Sequence, residues 1–245
     1  MIIQKLTNVL LCAGLSAFII GCTCSSAFPN SSQIAEEKPN SQLNFQDSYS
    51  NLGKEDGKVY VLDPKISAIN IYVFRGGAAP SLGHNHILSS PVFTGFAYLP
   101  DRGLSKARFD LAFRLDQLEF ENIPDNSKLG EAFTSQLGND EIKRTREHML
   151  GEDNFQADRF PFVRIHSLHV AGEIPKLAVE IQVELHGQQQ TMTLPLNVEV
   201  LSNRLTATGS FVLRQSDFGV KPYSVLGGFL AVQNEVVIEF TLVGF

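Results

Sequence analysis

The amino-acid sequence predicts an all-β protein: an antiparallel eight-stranded barrel with a short helix over one end. Three observations lead to this prediction. Apolar and polar residues alternate with period two through most of the chain after residue 58, which is typical of strands with one buried face. Only residues 139–150 have a helical pattern. The chain has 245 residues, 43% of them hydrophobic, which is enough for the core of one such barrel.

The N-terminus has the layout of a secretory signal. Residues 1–21 begin with a short polar stretch that contains Lys5, continue through an apolar run and end on Gly21. The apolar run is shorter than the roughly 20 residues of a membrane-spanning helix, so we expect export. The tetrapeptide at 19–22 resembles a lipobox, which implies cleavage before Cys22 and acylation of that residue. An uncleaved anchor helix, or an ordinary signal cut nearby, are the alternatives.

The next segment, residues 22–58, is predicted to be a lipidated flexible tether. It is rich in Ser, Asn, Gln, Pro and Glu and has no sustained hydrophobic period. A membrane-anchored lipoprotein on the periplasmic side of the cell envelope is therefore expected. Thr23 stands where an Asp would resemble the inner-membrane retention signal of enteric bacteria, so the outer membrane is favoured if the source is Gram-negative. Residues 59–245 are the predicted barrel domain.

Composition excludes several classes of function. The cysteines are Cys12, Cys22 and Cys24, so the barrel domain can contain no disulfide, thiolate metal site or cysteine nucleophile. A net charge of −6 offers no basic surface of the kind that nucleic acid requires. The sequence contains no Gly-x-Ser-x-Gly element, phosphate loop or dinucleotide fingerprint, and we predict no catalytic residue and no cofactor.

Period-two alternation predicts the strands in chain order. Five stripes are regular, and three runs are less regular but bring the count to about eight. The regular stripes are 107–115, 177–185, 192–200, 205–213 and 236–242, and the less regular runs are 66–74, 91–99 and 162–170. Gly187-Gln188-Gln189 is predicted to connect a hairpin. Pro195 indicates an edge, a bulge or an outward-facing donor position in its strand.

The single helical pattern is placed over one end of the barrel. Residues 139–150 have an acidic start and basic residues further on, which suits a helix dipole. Ile142, Met149 and Leu150 fall on roughly one side of this helix. We expect that side to pack on the barrel.

Six short pieces of sequence stand out, in order, in the predicted barrel domain: residues 59–64 with Ser67, 81–86, 93–95, 160–163 with Ser167, 185–188 with 194–196, and 214–220. Together they resemble the YceI-like family of lipocalin-like barrels. Their order and spacing carry the resemblance, because pieces such as Asp-Phe-Gly or His-x-His occur widely by themselves. The resemblance spans residues 59–245. It implies an eight-stranded barrel whose apolar lumen binds an isoprenoid or similar lipid chain in the periplasm, and it implies no settled catalytic activity.

The inward stripes predict the wall of a lipid cavity with few polar groups, which suits an isoprenoid or fatty-acyl chain. The predicted lining residues are Phe109, Leu111, Phe113, Ile181, Val183, Leu194, Leu196, Phe211, Ile238 and Phe240. The same pattern fits a barrel filled by its own side chains. A ligand-free structural or stress-response module of the envelope is therefore an alternative to the non-enzymatic lipid binder that we favour.

His84 and His86 are the most distinctive polar feature of the sequence. On a strand, residues two apart face the same side, so the pair could contact a lipid headgroup. The pair could instead bind a metal with a third ligand from His148 or Glu147, which would make the protein a metal-dependent enzyme or a redox accessory. Our prediction is headgroup contact or a structural role, with no metal site.

Three other groups of residues are interpreted as structural. His166 and His169 are three residues apart, so in a regular strand they face opposite sides and cannot share a metal ion. Asp217 and Gly219 follow a strand, where Asp forms turns and Gly allows a backbone geometry that other residues resist. Asp63, before Pro64, is likewise assigned to a turn.

Overall fold

Twelve β-strands dominate the computed structural model, which describes residues 45–52, 56–120, 129, 131–133 and 137–245. The strands are β1 (Gly57–Val61), β2 (Ala68–Gly76), β3 (His86–Ser89), β4 (Thr94–Pro100), β5 (Arg108–Arg114), β6 (Glu119–Phe120), β7 (Phe162–Glu173), β8 (Lys176–Leu185), β9 (Gln188–Leu201), β10 (Arg204–Arg214), β11 (Ser224–Val225) and β12 (Leu230–Gly244). In the same described residues the α-helices are α1 (Phe45–Ser50) and α2 (Asn139–Leu150). Short 3₁₀ turns occur at Pro80–Leu82, Leu115–Gln117, Glu131–Phe133, Gln215–Phe218 and Leu226–Gly228.

The strands form one antiparallel sheet that curls into a barrel. Its order is β1-β4-β5-β7-β8-β9-β10-β12-β2-β3-β6, with β11 on β12. Strands β1 and β2 pair with β4 and β3, respectively, and β4 and β3 pair on their other side with β5 and β6. The segments β1 and β2 are therefore the two halves of one bent strand, and so are β3 and β4, and β5 and β6. Three bent strands together with β7, β8, β9, β10 and β12 make eight. The predicted fold class is confirmed.

The ring is joined at a seam between β1 and the end of β12. The amide of Val61 donates to the carbonyl of Phe245 over 2.9 Å, and the amide of Phe245 donates back to Val61 over 3.2 Å. Leu62 forms an isolated antiparallel bridge with Gly244 next to these bonds. The last residues of the chain therefore complete the hydrogen bonding of the first strand.

The two ends of the barrel are built differently. One end, here called the turn end, carries the short connections 101–107, 174–175 and 202–203. The other, here called the helix end, carries the loops 77–85 and 215–229 and helix α2. Helix α2 has the bounds that the sequence predicted. Arg146 holds it there by donating to the backbone carbonyls of Leu118 and Asp116.

Several of the predicted strands and turns differ from the structure in their bounds. The run at 66–74 starts late, at residue 68, because Asp63 forms a turn in which its carboxylate accepts the amide of Lys65 over 2.9 Å. The run at 91–99 is β4, which starts only at Thr94. Residues 90–93 separate it from β3, and Pro91 among them cannot donate to a ladder. The hairpin placed at 187–189 turns at 186–187 instead.

That hairpin is tight because both of its turn residues have left-handed backbones. His186 has φ 53° and Gly187 has φ 69°, the geometry that two-residue hairpins favour. The glutamines that follow therefore belong to β9. Further along β9, Pro195 lies one residue beyond the last β9–β10 pair, Leu196 with Gly209. This is a local edge, as the proline indicated.

Strand β7 contains a bulge that changes the faces of two histidines. Its pairing with β8 shifts register between Ser167 and His169. His166 and His169 are both exposed, so the expectation that they face opposite sides is wrong. A bulge adds one residue to the strand and reverses the alternation beyond it.

Helix α1 lies in the segment that the sequence assigned to a flexible tether. Tyr49 is buried against the outer wall of the barrel, where its ring stacks on Phe96 at 5.3 Å and its hydroxyl donates to Asp110 over 2.7 Å. The Arg108 guanidinium covers the same ring at 5.1 Å. Burial and then Asp110 raise the pKa of Tyr49, so the phenol stays a donor. The tether prediction therefore ends too late in the sequence.

Within the described part of the chain, no helix is both long and apolar enough to cross a bilayer.

Candidate functional site

A cavity of about 470 Å³ runs inside the barrel. Ligand pockets in proteins typically have volumes of about 300–1,000 Å³. The cavity begins near Tyr98 and Ala107 at the turn end and reaches α2 at the helix end. It therefore extends along the barrel axis, as a site for an elongated molecule would.

The inward stripes of the strands form the wall. All ten residues that the sequence assigned to the lining contact the cavity: Phe109, Leu111, Phe113, Ile181, Val183, Leu194, Leu196, Phe211, Ile238 and Phe240. Small side chains at Ala97, Ala107 and Ala207 line the same cavity and leave space that larger ones would occupy. Whether these residues contact a ligand stays a prediction.

Polar side chains gather at the helix end of the cavity. One face of α2 contributes Glu141, Arg144, Thr145 and His148, which are spaced three and four residues apart and so lie on one side of the helix. Arg144 and His148 are exposed to solvent, and the His148 ring contacts Tyr223 at 5.3 Å between centroids. The cavity therefore has an apolar interior and a polar entrance.

Two buried amides fix the loops around this entrance. The side-chain amide of Gln215 donates to the carbonyl of Gln233 over 2.8 Å, and that of Asn154 donates to the carbonyl of Lys221 over 3.0 Å. Both residues line the cavity. Since the hydrogen bonds are buried, they hold the loops more firmly than exposed bonds would.

His84 and His86 occupy different surroundings. His86 begins β3 and lines the cavity. His84 precedes this strand and does not line the cavity, and its Nε2 lies 3.9 Å from a carboxylate oxygen of Glu141. Between them, Asn85 is buried and accepts the amide of Arg75 over 2.9 Å. Of the two predicted headgroup contacts, the structure places His86 in the cavity wall and His84 at the rim.

The proposed third metal ligand is not brought to these histidines. His148 lies against Tyr223, and no three His, Cys, Asp or Glu side chains among the described residues are grouped closely enough to hold a metal ion. The geometry gives no support to a metal site built on His84 and His86.

Three of the sequence pieces meet at the helix end. His186 of the β8–β9 turn places its Nδ1 3.0 Å from the carbonyl oxygen of Phe218 and packs edge-on against Phe160. Phe218 is buried, and Gly219 after it ends the 3₁₀ turn with φ 70°, as the sequence predicted for a glycine there. These pieces position the loops around the entrance.

Sequence reasoning missed the polar entrance. Arg144, Thr145, Asn154, Gln215 and Tyr223 were not selected, although they line the cavity. A signal existed for α2, because residues 141, 144, 145 and 148 form a polar stripe at helical spacing. No sequence pattern tells whether such a stripe faces solvent or a cavity.

Comparison with known proteins identifies the fold. The family model described as YceI-like domain matches residues 60–244. The crystal structure of BcnA from Burkholderia cenocepacia is similar, with a TM-score of 0.56 and 17% identity over 75% of this chain and 99% of that chain. The YceI protein of Campylobacter jejuni has a TM-score of 0.42 and 11% identity over 63% of this chain and 82% of that chain. No curated protein matches the sequence.

Proposed function

The chain belongs to the YceI-like family, and from this premise we propose that it binds a long-chain isoprenoid or a similar amphiphilic lipid in the barrel lumen, without catalysis. The observation that carries the proposal is the apolar cavity of about 470 Å³ along the barrel axis. A hydrocarbon chain gains free energy roughly in proportion to the apolar area that it removes from water. The polar entrance would keep the headgroup near solvent.

Binding rather than catalysis fits the distribution of side chains. The wall of the cavity is almost entirely aliphatic and aromatic, so it can hold a hydrocarbon but cannot orient a reacting group. The polar residues Glu141, Arg144 and His148 lie at the entrance. We assign them to headgroup contact together with His86.

Lipid content is the direct test of this proposal. We expect native mass spectrometry of the full chain, purified from the membrane fraction, to show a bound mass that is released on unfolding and extracts into organic solvent as a lipid. Ala207→Phe should lower the occupancy, because a phenyl ring would fill space in the lumen. Ala178→Phe is the matched control, since Ala178 is exposed and its strand neighbours Leu177 and Val179 point inward.

The alternatives give different results. Protein that carries no lipid, with Ala207→Phe and Ala178→Phe behaving alike, would indicate a ligand-free module. Metal analysis of the same sample addresses the other alternative: about one equivalent of metal, lost on replacing His84 and His86, would contradict the carrier proposal.

We also propose that the protein is exported and anchored through acylated Cys22 on the periplasmic side of the envelope. The support is the signal-like residues 1–21 and the lipobox-like residues 19–22. Metabolic labelling with a radioactive fatty acid should label the wild type but not Cys22→Ser, because the acyl chains that provide the strong part of such anchoring would be carried by Cys22. Cys24→Ser is the control and should be labelled. Equal labelling of both variants would rule out Cys22 as the anchor.

A further inference from the structure

Two neighbouring loops at the helix end expose large apolar side chains to solvent. The loops are residues 77–83 and 219–231, here called the entrance loops. Leu226 is 76% exposed, Leu82 65%, Phe229 47% and Tyr223 40%. Isolated exposed apolar residues are ordinary, but several together on adjacent loops are characteristic of an interaction surface.

The backbone holds the entrance loops together. The amide of Ala78 donates to the carbonyl of Gly228 over 3.0 Å, and that of Ala79 donates to Phe229 over 2.9 Å. The amide of Val232 donates to the carbonyl of Tyr223 over 3.0 Å. The apolar side chains are therefore displayed by a hydrogen-bonded scaffold.

Leu226 occupies a strained position with no packing to explain it. Its φ is 52°, a left-handed conformation in which the Cβ of a leucine crowds the following carbonyl oxygen. Gly227 and Gly228, which adopt that region without cost, follow directly. A large side chain that is both strained and exposed is more readily explained by contact with something outside the chain.

Charge indicates what the contact is. Residues 77–83 and 219–231 contain one charged side chain, Lys221, in a protein whose composition is 19% charged. An apolar tip with a lone exposed cation suits the interface of a bilayer, where apolar side chains enter the acyl boundary and a lysine meets anionic headgroups. Tyr, which Tyr223 supplies, is enriched at such interfaces.

The apolar surface is also continuous with the cavity. Tyr223 is exposed on the entrance loops and at the same time lines the lumen beside His148. A lipid chain leaving a bilayer at these loops would enter the apolar lumen beside Tyr223, next to the polar side chains of α2. We infer that the entrance loops dock on a lipid bilayer, with Leu226 and Phe229 in the acyl boundary.

The chain contains no Trp, so a single introduced Trp reports on one place only. We would prepare the full chain with Cys22→Ser, which removes the proposed anchor, and add Leu226→Trp. The matched control is Leu201→Trp, because Leu201 is 60% exposed at the turn end. The probe is vesicles of phosphatidylethanolamine and phosphatidylglycerol, with part of the lipid brominated in its acyl chains.

Only a Trp on the entrance loops should contact the acyl chains of the vesicles. Emission from Leu226→Trp should move to shorter wavelength and be quenched by the bromines, while Leu201→Trp should stay in water and unquenched. Because quenching is local, membrane attachment elsewhere in the chain cannot imitate this result. An unquenched Leu226→Trp, or equal quenching at both positions, would overturn the inference, and would leave the entrance loops as a surface for a protein.

Lys221→Glu tests the charge. A basic residue near an anionic surface attracts it and an acidic one is repelled, so reversing this charge should weaken binding to the anionic vesicles by about tenfold or more. Binding to neutral phosphatidylcholine vesicles should change little. Unchanged binding to the anionic vesicles would contradict the role of Lys221.

The role that we assign to docking, which is to pass lipid from the bilayer into the lumen, rests on the proposed function, whereas docking itself does not. Native mass spectrometry of the same Leu226→Trp sample separates the two. Quenching with an empty lumen would support docking and contradict the carrier proposal, whereas a filled lumen without quenching would do the reverse.

Discussion

A single carboxylate next to an arginine fixes the turn on which α2 rests. Arg114 donates from Nε and Nη2 to the two carboxylate oxygens of Asp116, each over 2.8 Å. The backbone carbonyl of Asp116 in turn accepts from Arg146 of α2. The Arg114 hydrogen bonds lower the pKa of Asp116 more than partial burial raises it. Ionised Asp116 therefore helps to hold the helix.

The lowered pKa gives a pH-dependent prediction. A carboxyl with a depressed folded-state pKa stabilises the fold above its unfolded value of about 3.9, and this contribution is lost as the pH falls through the folded value. Asp116→Asn should lower the free energy of unfolding at neutral pH by about 0.2–1 kcal/mol, as expected for a partly exposed pair. Urea titrations should show the difference from wild type vanishing in acid. A difference that is the same at both pH values would contradict the pairing.

The residues that the sequence identified correctly are those whose position depends on local alternation. Phe109 and Phe113 line the cavity because period two places them on one face of β5. His84 could not be placed, because β3 begins only at His86 and the pattern does not show where a strand starts. Gln215 could not be found, since its inward position depends on a 3₁₀ turn.

Among the elements, α1 depends on the barrel more than the barrel depends on it. A helix of six residues is too short to be stable alone, so it depends on its contacts with the barrel, among which Tyr49 is the buried one. The other contacts of the helix include a donation from Arg108 to the carbonyl of Ser48 over 3.1 Å. The segment before the first strand is thus attached to the outer wall near Asp110.

Removing the Tyr49 side chain should release α1 and leave the barrel folded. Burial of a large aromatic ring contributes roughly 3–5 kcal/mol, so Tyr49→Ala should make opening of the helix much more frequent. Limited proteolysis should then cut near residues 45–52 faster, with little change in the Tm of the barrel. Tyr49→Phe, which loses only the hydroxyl donation, should give an intermediate rate. Equal cleavage of all three proteins would show that Tyr49 does not hold the helix.

Elements were predictable where one side of the chain is buried along its whole length. β8 and β10 were placed within one residue at each end, because polar and apolar residues alternate throughout them. The bent strand formed by β3 and β4 was not, because Pro91 and its neighbours interrupt both the pattern and the hydrogen bonding. The entrance loops show neither the two-residue period of a strand nor the 3.6-residue period of a helix, so only tertiary contacts determine their conformation.

For the whole molecule, the barrel closes where β1 meets the end of β12. A Cβ on Gly244 would lie 3.0 Å from Leu62 Cδ2 and 3.1 Å from both Tyr60 Cβ and the Val61 carbonyl oxygen. The two strands approach so closely there that only a glycine fits without adjustment. The number of strands, eight, was predictable from the alternation of apolar and polar residues. The position of the seam was not, because it depends on a long-range contact between β1 and β12 that alternation does not encode.

Gly244→Val should therefore weaken the whole barrel. Overpacking at such a contact costs about 1–3 kcal/mol, and in a protein of this size each kcal/mol lowers the Tm by about 2–4 °C. Thermal melts followed by circular dichroism would measure the change. Gly76→Val is the control, because a Cβ at Gly76 has its nearest neighbours at 3.4 Å. If both variants melt alike, the seam does not limit stability.

The seam also brings the first strand and the last residue of the chain side by side. Gly57 lies four residues along β1 from Val61, which is bonded to Phe245, so a gap of roughly 13 Å separates the two at about 3.3 Å per residue. A linker of about five residues could bridge that gap. A circular permutant opened at the 202–203 turn should then keep every strand neighbour and the cavity. The pairing of strands around a closed ring does not depend on which turn is opened.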